Sequence, residues 1–259
     1  MIFSALLLLR FRLLLRQKIG WVSLLVGLAL ILIGYSTASV SFVSPQKIFW
    51  DFALGLSFVL VHVLALYLGA QLFHDEKDRR TLHLVLVGGV SRLQWLVGNV
   101  LGIWLGLVAI DMIWFVTTWL VSLASFSWAG AWILVQVKIL QALSVLVVLS
   151  FTSLFSLLLR PLLALFLSGA LFLFLYSVSA VERVFSDPQT GLLTDARWAL
   201  GVLKVSKILP PLEWFDLKMF VGYEPQIAWS TLGSTAALGL AWTVILLGLA
   251  SWRFQKLDL

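Results

Sequence analysis

Apolar stretches, interrupted by short polar connections, make up most of this chain of 259 residues. Several of them reach the ~20 residues that an α-helix needs to cross a hydrocarbon core about 30 Å thick. Their apolar residues are continuous and do not alternate with polar ones, which excludes the strands of an outer-membrane barrel. The pattern predicts six spanning helices, at residues 20–35, 52–73, 95–121, 131–159, 162–180 and 227–252.

The composition supports this interpretation. Hydrophobic residues make up 61% of the chain and charged residues only 12%, which is about half the charged fraction of a soluble domain. We therefore expect an all-α polytopic membrane protein, with one membrane domain over residues 1–259. The chain has no cysteine, which excludes a disulfide framework, a thiolate metal site and a cysteine nucleophile.

Residues 1–18 predict a helix that lies in the membrane interface. They are apolar but include Arg10, Arg12 and Arg16, so they are too short and too basic to span. In an interfacial helix the leucines enter the acyl boundary and the arginine side chains extend to the headgroups. The alternative is a basic flank before the first span.

The distribution of Lys and Arg predicts the orientation of the chain. Most basic residues near the span ends fall on one side, and they are Arg10, Arg12, Arg16, Lys18, Lys77, Arg79, Arg80, Arg92, Arg160, Arg253 and Lys256. The short connections on the other side hold only Lys47, with Lys138 slightly inside the fourth span. The positive-inside rule places the first side, and both termini, in the cytoplasm. The net charge of +6 is thereby assigned to topology, and we expect no nucleic-acid partner.

The long connection at residues 181–226 is then outside the membrane. Residues 192–209 have the apolar spacing of an amphipathic helix, which two prolines would end. We expect this helix to lie at the outer interface, followed by a turn in which Trp214 and Phe215 are interfacial aromatics. The alternative is a compact loop that only connects two spans.

The connection at residues 74–92 contains the densest run of charge in the chain. Residues 81–87 within it are apolar but too short to span. They predict a short helix along the cytoplasmic face, with Leu82, Val85 and Leu86 on one side, which a glycine pair ends. The alternative is a solvated loop that only sets topology.

The connection ends in a strong helix-start signal. Ser91 is a good N-cap with Gln94 three residues later, as in a capping box, and Val90 and Trp95 are placed to form a hydrophobic staple. The third span is therefore expected to begin as a rigid, capped helix. Such a geometry would transmit a push on the short helix to the second and third spans.

The side chains of His62, Asp111 and Lys138 lie inside the predicted spans, where ionised groups are costly unless paired. Asp111 and Lys138 lie at similar depths in the third and fourth spans, so we hypothesise that they pair. The alternative is that Lys138 extends outward and Asp111 bonds to a hydroxyl group such as that of Thr117 or Ser122. His62 is expected to be a hydrogen-bonded packing residue rather than a substrate contact.

Three short motifs resemble those of the ABC-2 type permeases of ATP-binding-cassette (ABC) transporters. The first comprises residues 76–86, followed by Val90-Ser91-Arg92 and Gly98-Asn99-Val100-Leu101-Gly102. The second, residues 209–216, resembles the element Leu-Pro-Asn-Leu-x-x-Phe-Asp/Asn that precedes the last span of the family. The third, residues 254–259, resembles the family ending Phe-x-x-x-Asp/Glu-Leu.

The chain departs from the family pattern at two places. Gly88-Gly89 stands where a proline is usual, and Asn99 stands where a lysine is usual. We expect the first change to make the cytoplasmic loop more flexible. Neither removes a residue of the short helix predicted at residues 81–87.

The resemblance implies a permease subunit, of an exporter, in the bacterial cytoplasmic (inner) membrane, surrounded by lipid. Its partners would be a cytoplasmic ABC ATPase subunit, which receives the short helix in a groove, and a second permease chain. The resemblance assigns coupling to Glu76, Arg79, Arg80, Thr81, Leu82, Leu86, Ser91 and Arg92. No phosphate-binding loop occurs in this sequence. We therefore expect no enzyme activity or cofactor here, with ATP and Mg bound by the ATPase.

Two other classes of protein fit the sequence less well. A secondary transporter usually shows an internal repeat with broken helices, which this sequence lacks. Asp75-Glu76-x-x-x-Arg80 resembles a motif of membrane-embedded CAAX-type proteases, but a metal-activated water needs several convergent ligands. The chain has only three histidines, and two of them fall in the loop itself.

Overall fold

Seven α-helices form the part of the chain that the computed structural model describes, namely residues 2–16, 18–41, 44–78, 89–126, 131–186, 210–221 and 226–256. They are α1 (Ile2–Arg16), α2 (Lys18–Ser39), α3 (Pro45–Asp78), α4 (Arg92–Phe126), α5 (Ala131–Leu158), α6 (Pro161–Ser186) and α7 (Trp229–Gln255). Two short 3-10 helices, Leu212–Phe215 and Lys218–Phe220, precede α7. Within these ranges there is no β-strand.

The helices α2 to α7 are long and apolar enough to cross a membrane, which confirms the six predicted spans. Most of them are longer than predicted, and the longest are α3, with 34 residues, and α4, with 35. At a rise of 1.5 Å per residue each of these two is about 50 Å long and extends beyond a hydrocarbon core of about 30 Å. We call the end of the bundle that carries Lys18, Arg92, Arg160 and Arg253 the basic end.

Helix α5 is the centre of the bundle. It is the most enclosed of the six spans, and it packs on α3, α4, α6 and α7. Close approach to α3 depends on Gly69, since a Cβ added there would lie 3.0 Å from the Cβ of Thr152. The core therefore surrounds α5.

Helix α1 confirms the predicted N-terminal helix and packs across the first half of α4. A Cβ on Gly102 would lie 2.7 Å from the Cβ of Arg10 and 2.9 Å from the carbonyl oxygen of Leu7. One turn further along α4, Gly106 lies against Leu14. Two glycines four residues apart thus let the backbone of α1 approach α4 closely. Its position relative to a membrane interface stays a prediction.

The segment before α7 corrects one prediction. Trp214 is exposed, as expected of an interfacial aromatic, but Phe215 is buried in the core. Its ring fills the space that glycine leaves on α7, because a Cβ on Gly239 would lie 2.7 Å from Phe215 Cε1. The amphipathic helix predicted at residues 192–209 lies outside the described residues.

Candidate functional site

Only three of the eight predicted coupling residues lie in the part of the chain that the structure describes. Arg79, Arg80, Thr81, Leu82 and Leu86 lie outside the described residues. Ser91 and Arg92 are described in full, and Glu76 lies in the last turns of α3, where only the backbone is described. The structure therefore defines the two flanks of the connection between α3 and α4, and these flanks form the first candidate site.

The exit of α3 is attached to the turn between α5 and α6. Nε2 of His74 lies 2.9 Å from the carbonyl oxygen of Leu159, and since a carbonyl oxygen only accepts, Nε2 must carry the proton. The ring of the preceding Phe73 packs edge-on against Phe254, with the ring centroids 5.7 Å apart. Both side chains hold the α3 exit against other helices of the bundle.

The start of α4 has the predicted cap. Ser91 Oγ accepts a hydrogen bond from the Gln94 backbone N–H at 3.1 Å, and Gln94 Oε1 accepts one from the Ser91 N–H at 3.2 Å. This reciprocal pair is a capping box. Val90 and Trp95 are both buried in the core. Gly89 has φ +86°, a backbone conformation that favours glycine and lets the chain turn into the cap.

Arg92 connects the start of α4 to the end of α7. Its guanidinium donates to the carbonyl oxygens of Phe254, at 2.7 Å, and of Gln255, at 3.0 Å. These carbonyls belong to the last turn of α7, where carbonyl oxygens lack the usual N–H donor four residues later. The positive charge of Arg92 also complements the helix dipole there. Trp95, three residues further along α4, packs on the ring of Phe254, with the ring centroids 5.4 Å apart.

We call Phe73, His74, Arg92, Trp95 and Phe254 the loop anchor. Sequence reasoning assigned Arg92 to ATPase coupling and did not identify its bonds to α7. The sequence feature that could have indicated a role for the end of α7 was Phe254, which begins the family-like ending of the chain. The loop anchor joins the two flanks of the connection to the end of α7 and to the α5–α6 turn.

A second site lies inside the bundle, and it contains the hypothesised pair. Lys138 Nζ lies 2.9 Å from Asp111 Oδ1, which confirms the pair. The alternative partners are engaged elsewhere, because Thr117 Oγ1 donates to the Ile113 carbonyl oxygen. Ser122 Oγ accepts a hydrogen bond from the Trp50 indole.

Two further side chains complete this polar cluster of Ser57, Asp111, Lys138 and Gln141. Lys138 Nζ also donates to Ser57 Oγ at 2.8 Å and to Gln141 Oε1 at 3.1 Å, so all three of its donors are used. Ser57 in turn donates to Asp111 Oδ1 at 3.1 Å. Sequence reasoning missed Ser57 and Gln141, although Gln141 lies one turn from Lys138 on the same helix. A buried ion pair is tolerated when such additional bonds satisfy it.

His62 is a packing residue, as expected. It is fully buried, Nδ1 lies 2.7 Å from the Phe58 carbonyl oxygen, and Nε2 lies 2.9 Å from Ser144 Oγ. Its ring stacks on Phe172 with centroids 5.0 Å apart. Both ring nitrogens are therefore occupied by protein groups. Among the described residues no group of three or more His, Asp or Glu side chains is placed to hold a metal ion.

A third polar group attaches the segment before α7 to the bundle, and sequence reasoning did not find it. Lys218 Nζ lies 2.6 Å from Asp216 Oδ2, and Tyr176 of α6 donates a hydrogen bond to the same oxygen. The ammonium also lies 4.7 Å from the ring centroid of Phe58. Burial disfavours the charged form of Lys218, but the hydrogen bond and the charge of Asp216 outweigh it and raise the pKa of the lysine.

Six apolar spans around a buried core define a polytopic α-helical membrane protein. The family model described as ABC-2 family transporter protein matches residues 11–259. The chain belongs to this family, and it is a membrane permease subunit of an ABC transporter, whose partner is an ABC ATPase subunit. Comparison with curated proteins finds no match.

Proposed function

We propose that this chain is the permease of an exporter and that the connection at residues 74–92 receives the ATPase subunit. The basic end of the bundle, with both termini, faces the cytoplasm. Hydrolysis of ATP and Mg binding take place on the ATPase, and this chain converts the resulting motion into substrate movement or mechanical transduction. A second permease chain completes the transporter.

The loop anchor carries this proposal. A loop that only sets topology needs charge but no rigid attachment to distant helices. Here the exit of α3 is bonded to the α5–α6 turn through His74, and the start of α4 is bonded to the end of α7 through Arg92. The capping box adds rigidity at Ser91. A force applied to the connection would therefore reach four spans besides α3.

The proposed docking surface is the apolar side of the short helix that the sequence predicts at residues 81–87. Its leucines have no role in a solvated loop, whereas they fit a groove on a soluble partner. Glu76 and Arg80 would orient this helix or form salt bridges with the ATPase. Apolar contact in a groove supplies affinity, and the flanking charges supply register.

The test is copurification of the tagged, full-length chain with the ATPase subunit, together with the ATP hydrolysis rate of the complex. We expect Leu82→Asp with Leu86→Asp to release the ATPase, because two carboxylates would enter an apolar groove. Each single leucine replacement is measured as well, and His83→Asp is their matched control, since it places one carboxylate elsewhere on the same predicted helix. ATPase retention with both leucines replaced would contradict the proposed surface.

Insertion of the variant must be checked separately. Because the chain has no cysteine, Trp214→Cys provides a single thiol for labelling at the opposite end of the bundle. In intact cells a membrane-impermeant maleimide should label this position equally in the wild-type and variant backgrounds. Labelling only after the cells are permeabilised would reverse the proposed orientation.

A further inference from the structure

Trp114 of α4 contains an unusual buried donor. Its indole is 2% exposed, and Nε1 is the one buried side-chain nitrogen or oxygen without a hydrogen-bond partner among the residues that the structure describes. Burying an unpaired donor costs stability, and other buried tryptophans here avoid this cost. Trp50 donates to Ser122, and the half-buried Trp104 donates to the Ala142 carbonyl oxygen.

Two adjoining small cavities lie at this indole, between α2, α3, α4 and α5. Each has a volume of about 10 Å³, the volume that one water-sized sphere occupies. Both are lined by Ser57, Trp114 and Thr118, and one of them also by Lys138 of the polar cluster. Purely apolar cavities of this kind stay empty, whereas polar ones hold water.

The free hydrogen-bonding capacity at these cavities selects the ligand. Trp114 Nε1 is a donor only. Thr118 Oγ1 uses its hydrogen to bond the Trp114 carbonyl oxygen, so it is left as an acceptor. Ser57 Oγ donates once and already accepts from both Lys138 and Gln141, so it offers nothing further. A ligand that bonds both free groups must accept one hydrogen bond and donate another.

We propose that Trp114 and Thr118 form a binding site for one hydroxyl-type oxygen, either a water molecule or the hydroxyl group of an amphipathic molecule that reaches between α2 and α3. On the α2 side the site is shaped by Gly27. A Cβ there would lie 2.0 Å from Trp114 Nε1, so only glycine leaves the indole in its place. The site adjoins the Asp111–Lys138 pair, and it does not depend on how the ATPase docks.

The test replaces Trp114 in the full-length chain with its benzothienyl analogue, which keeps the shape of the ring system but has sulfur in place of N–H. If an oxygen is bound, this change removes a hydrogen bond, and the thermal midpoint Tm falls by about 2–4 °C, as for one ordinary bond in a chain of this size. The same replacement at Trp104 is the reference, because its N–H bonds the Ala142 carbonyl oxygen at 2.7 Å. A Tm at Trp114 that is unchanged or raised both in lipid-free detergent and with membrane lipid retained would overturn the proposal, since loss of an unsatisfied donor does not destabilise.

Thr118→Val provides a second measurement on the same site. If one oxygen bridges the two side chains, the analogue at Trp114 and Thr118→Val each break the bridge, and their combined effect is smaller than the sum. Thr243→Val is the matched control, because Thr243 is a buried threonine with the same type of bond to the carbonyl of its own helix. Additive losses would exclude a shared ligand.

The source of the oxygen is decided by repeating the measurement in two preparations. A fall in Tm that persists in lipid-free detergent indicates water. A fall that appears only when membrane lipid is retained indicates the hydroxyl group of an amphipathic molecule, which native mass spectrometry should then show as bound mass that the Trp114 variant lacks.

Discussion

The Asp111–Lys138 pair offers the sharpest test of the internal structure. Lys138 is 3% exposed, and so is Asp111. Lys138→Met removes the ammonium but leaves the carboxylate buried, with only Ser57 and Gln141 as donors. Removing one partner of a buried pair costs about 3–5 kcal/mol, because the remaining charge is uncompensated.

This cost converts into a large thermal shift. At about 2–4 °C per kcal/mol for chains of this size, Lys138→Met is expected to lower Tm by about 6–20 °C. Asp111→Asn should cost a similar amount, since it leaves the ammonium unpaired. The double variant should be more stable than either single one, because no buried charge remains and the introduced asparagine side chain still offers an oxygen to Ser57.

The assay is thermal unfolding of the purified chain in detergent for the wild type, both single variants and the double variant. Lys256→Met is the control, since it removes an exposed cation whose contact with the Trp252 ring is worth only about 0.5–1 kcal/mol. The reasoning would be refuted by single variants with the same Tm as the wild type. It would also be refuted by a double variant whose fall in Tm equals the sum of the two single falls.

Two further perturbations test the packing of α1 and the third polar group. Gly102→Val should cost about 1–3 kcal/mol of stability, because its Cβ alone would lie 2.7 Å from the Cβ of Arg10. Gly55→Val should cost less, since no atom lies within 4 Å of the Cβ added there. Equal losses of stability in unfolding experiments would count against the packing of α1 on α4. Lys218→Met should lower Tm equally at about pH 7 and about pH 9, because the pKa of Lys218 is raised above 10.5, and a raised pKa gives stability that is lost only when the pH rises through it. A difference that already shrinks by about pH 9 would contradict the described ion pair with Asp216.

Features that depend on local sequence could be predicted. The six spans follow from the length and continuity of the apolar stretches. The capping box follows from Ser91 and Gln94, which are three residues apart and whose chemistry is local. The Asp111–Lys138 pair could be hypothesised because two opposite charges at similar depth have few other ways to avoid the cost of burial.

Features that depend on contacts between distant residues could not be predicted. Phe215 stands beside Trp214, and nothing in that local sequence distinguishes the exposed ring from the buried one; the space left by Gly239 decides it. Ser57 was missed because serine is common in spanning helices, where it usually bonds to its own backbone. The bonds of Arg92 to α7 require knowledge of which helix ends are neighbours, which one sequence does not provide.

The bonds of Arg92 also bear on the order in which the chain is completed during synthesis. His74 binds an acceptor that lies 85 residues later, whereas Arg92 waits for one that lies 162 residues later. A nascent chain that has inserted α2 to α6 already contains both atoms of the first bond but lacks the acceptors of the second. The start of α4 therefore acquires its attachment to α7 only when the last helix has been inserted, and in a chain truncated before α7 the connection at residues 74–92 would be held at one flank alone.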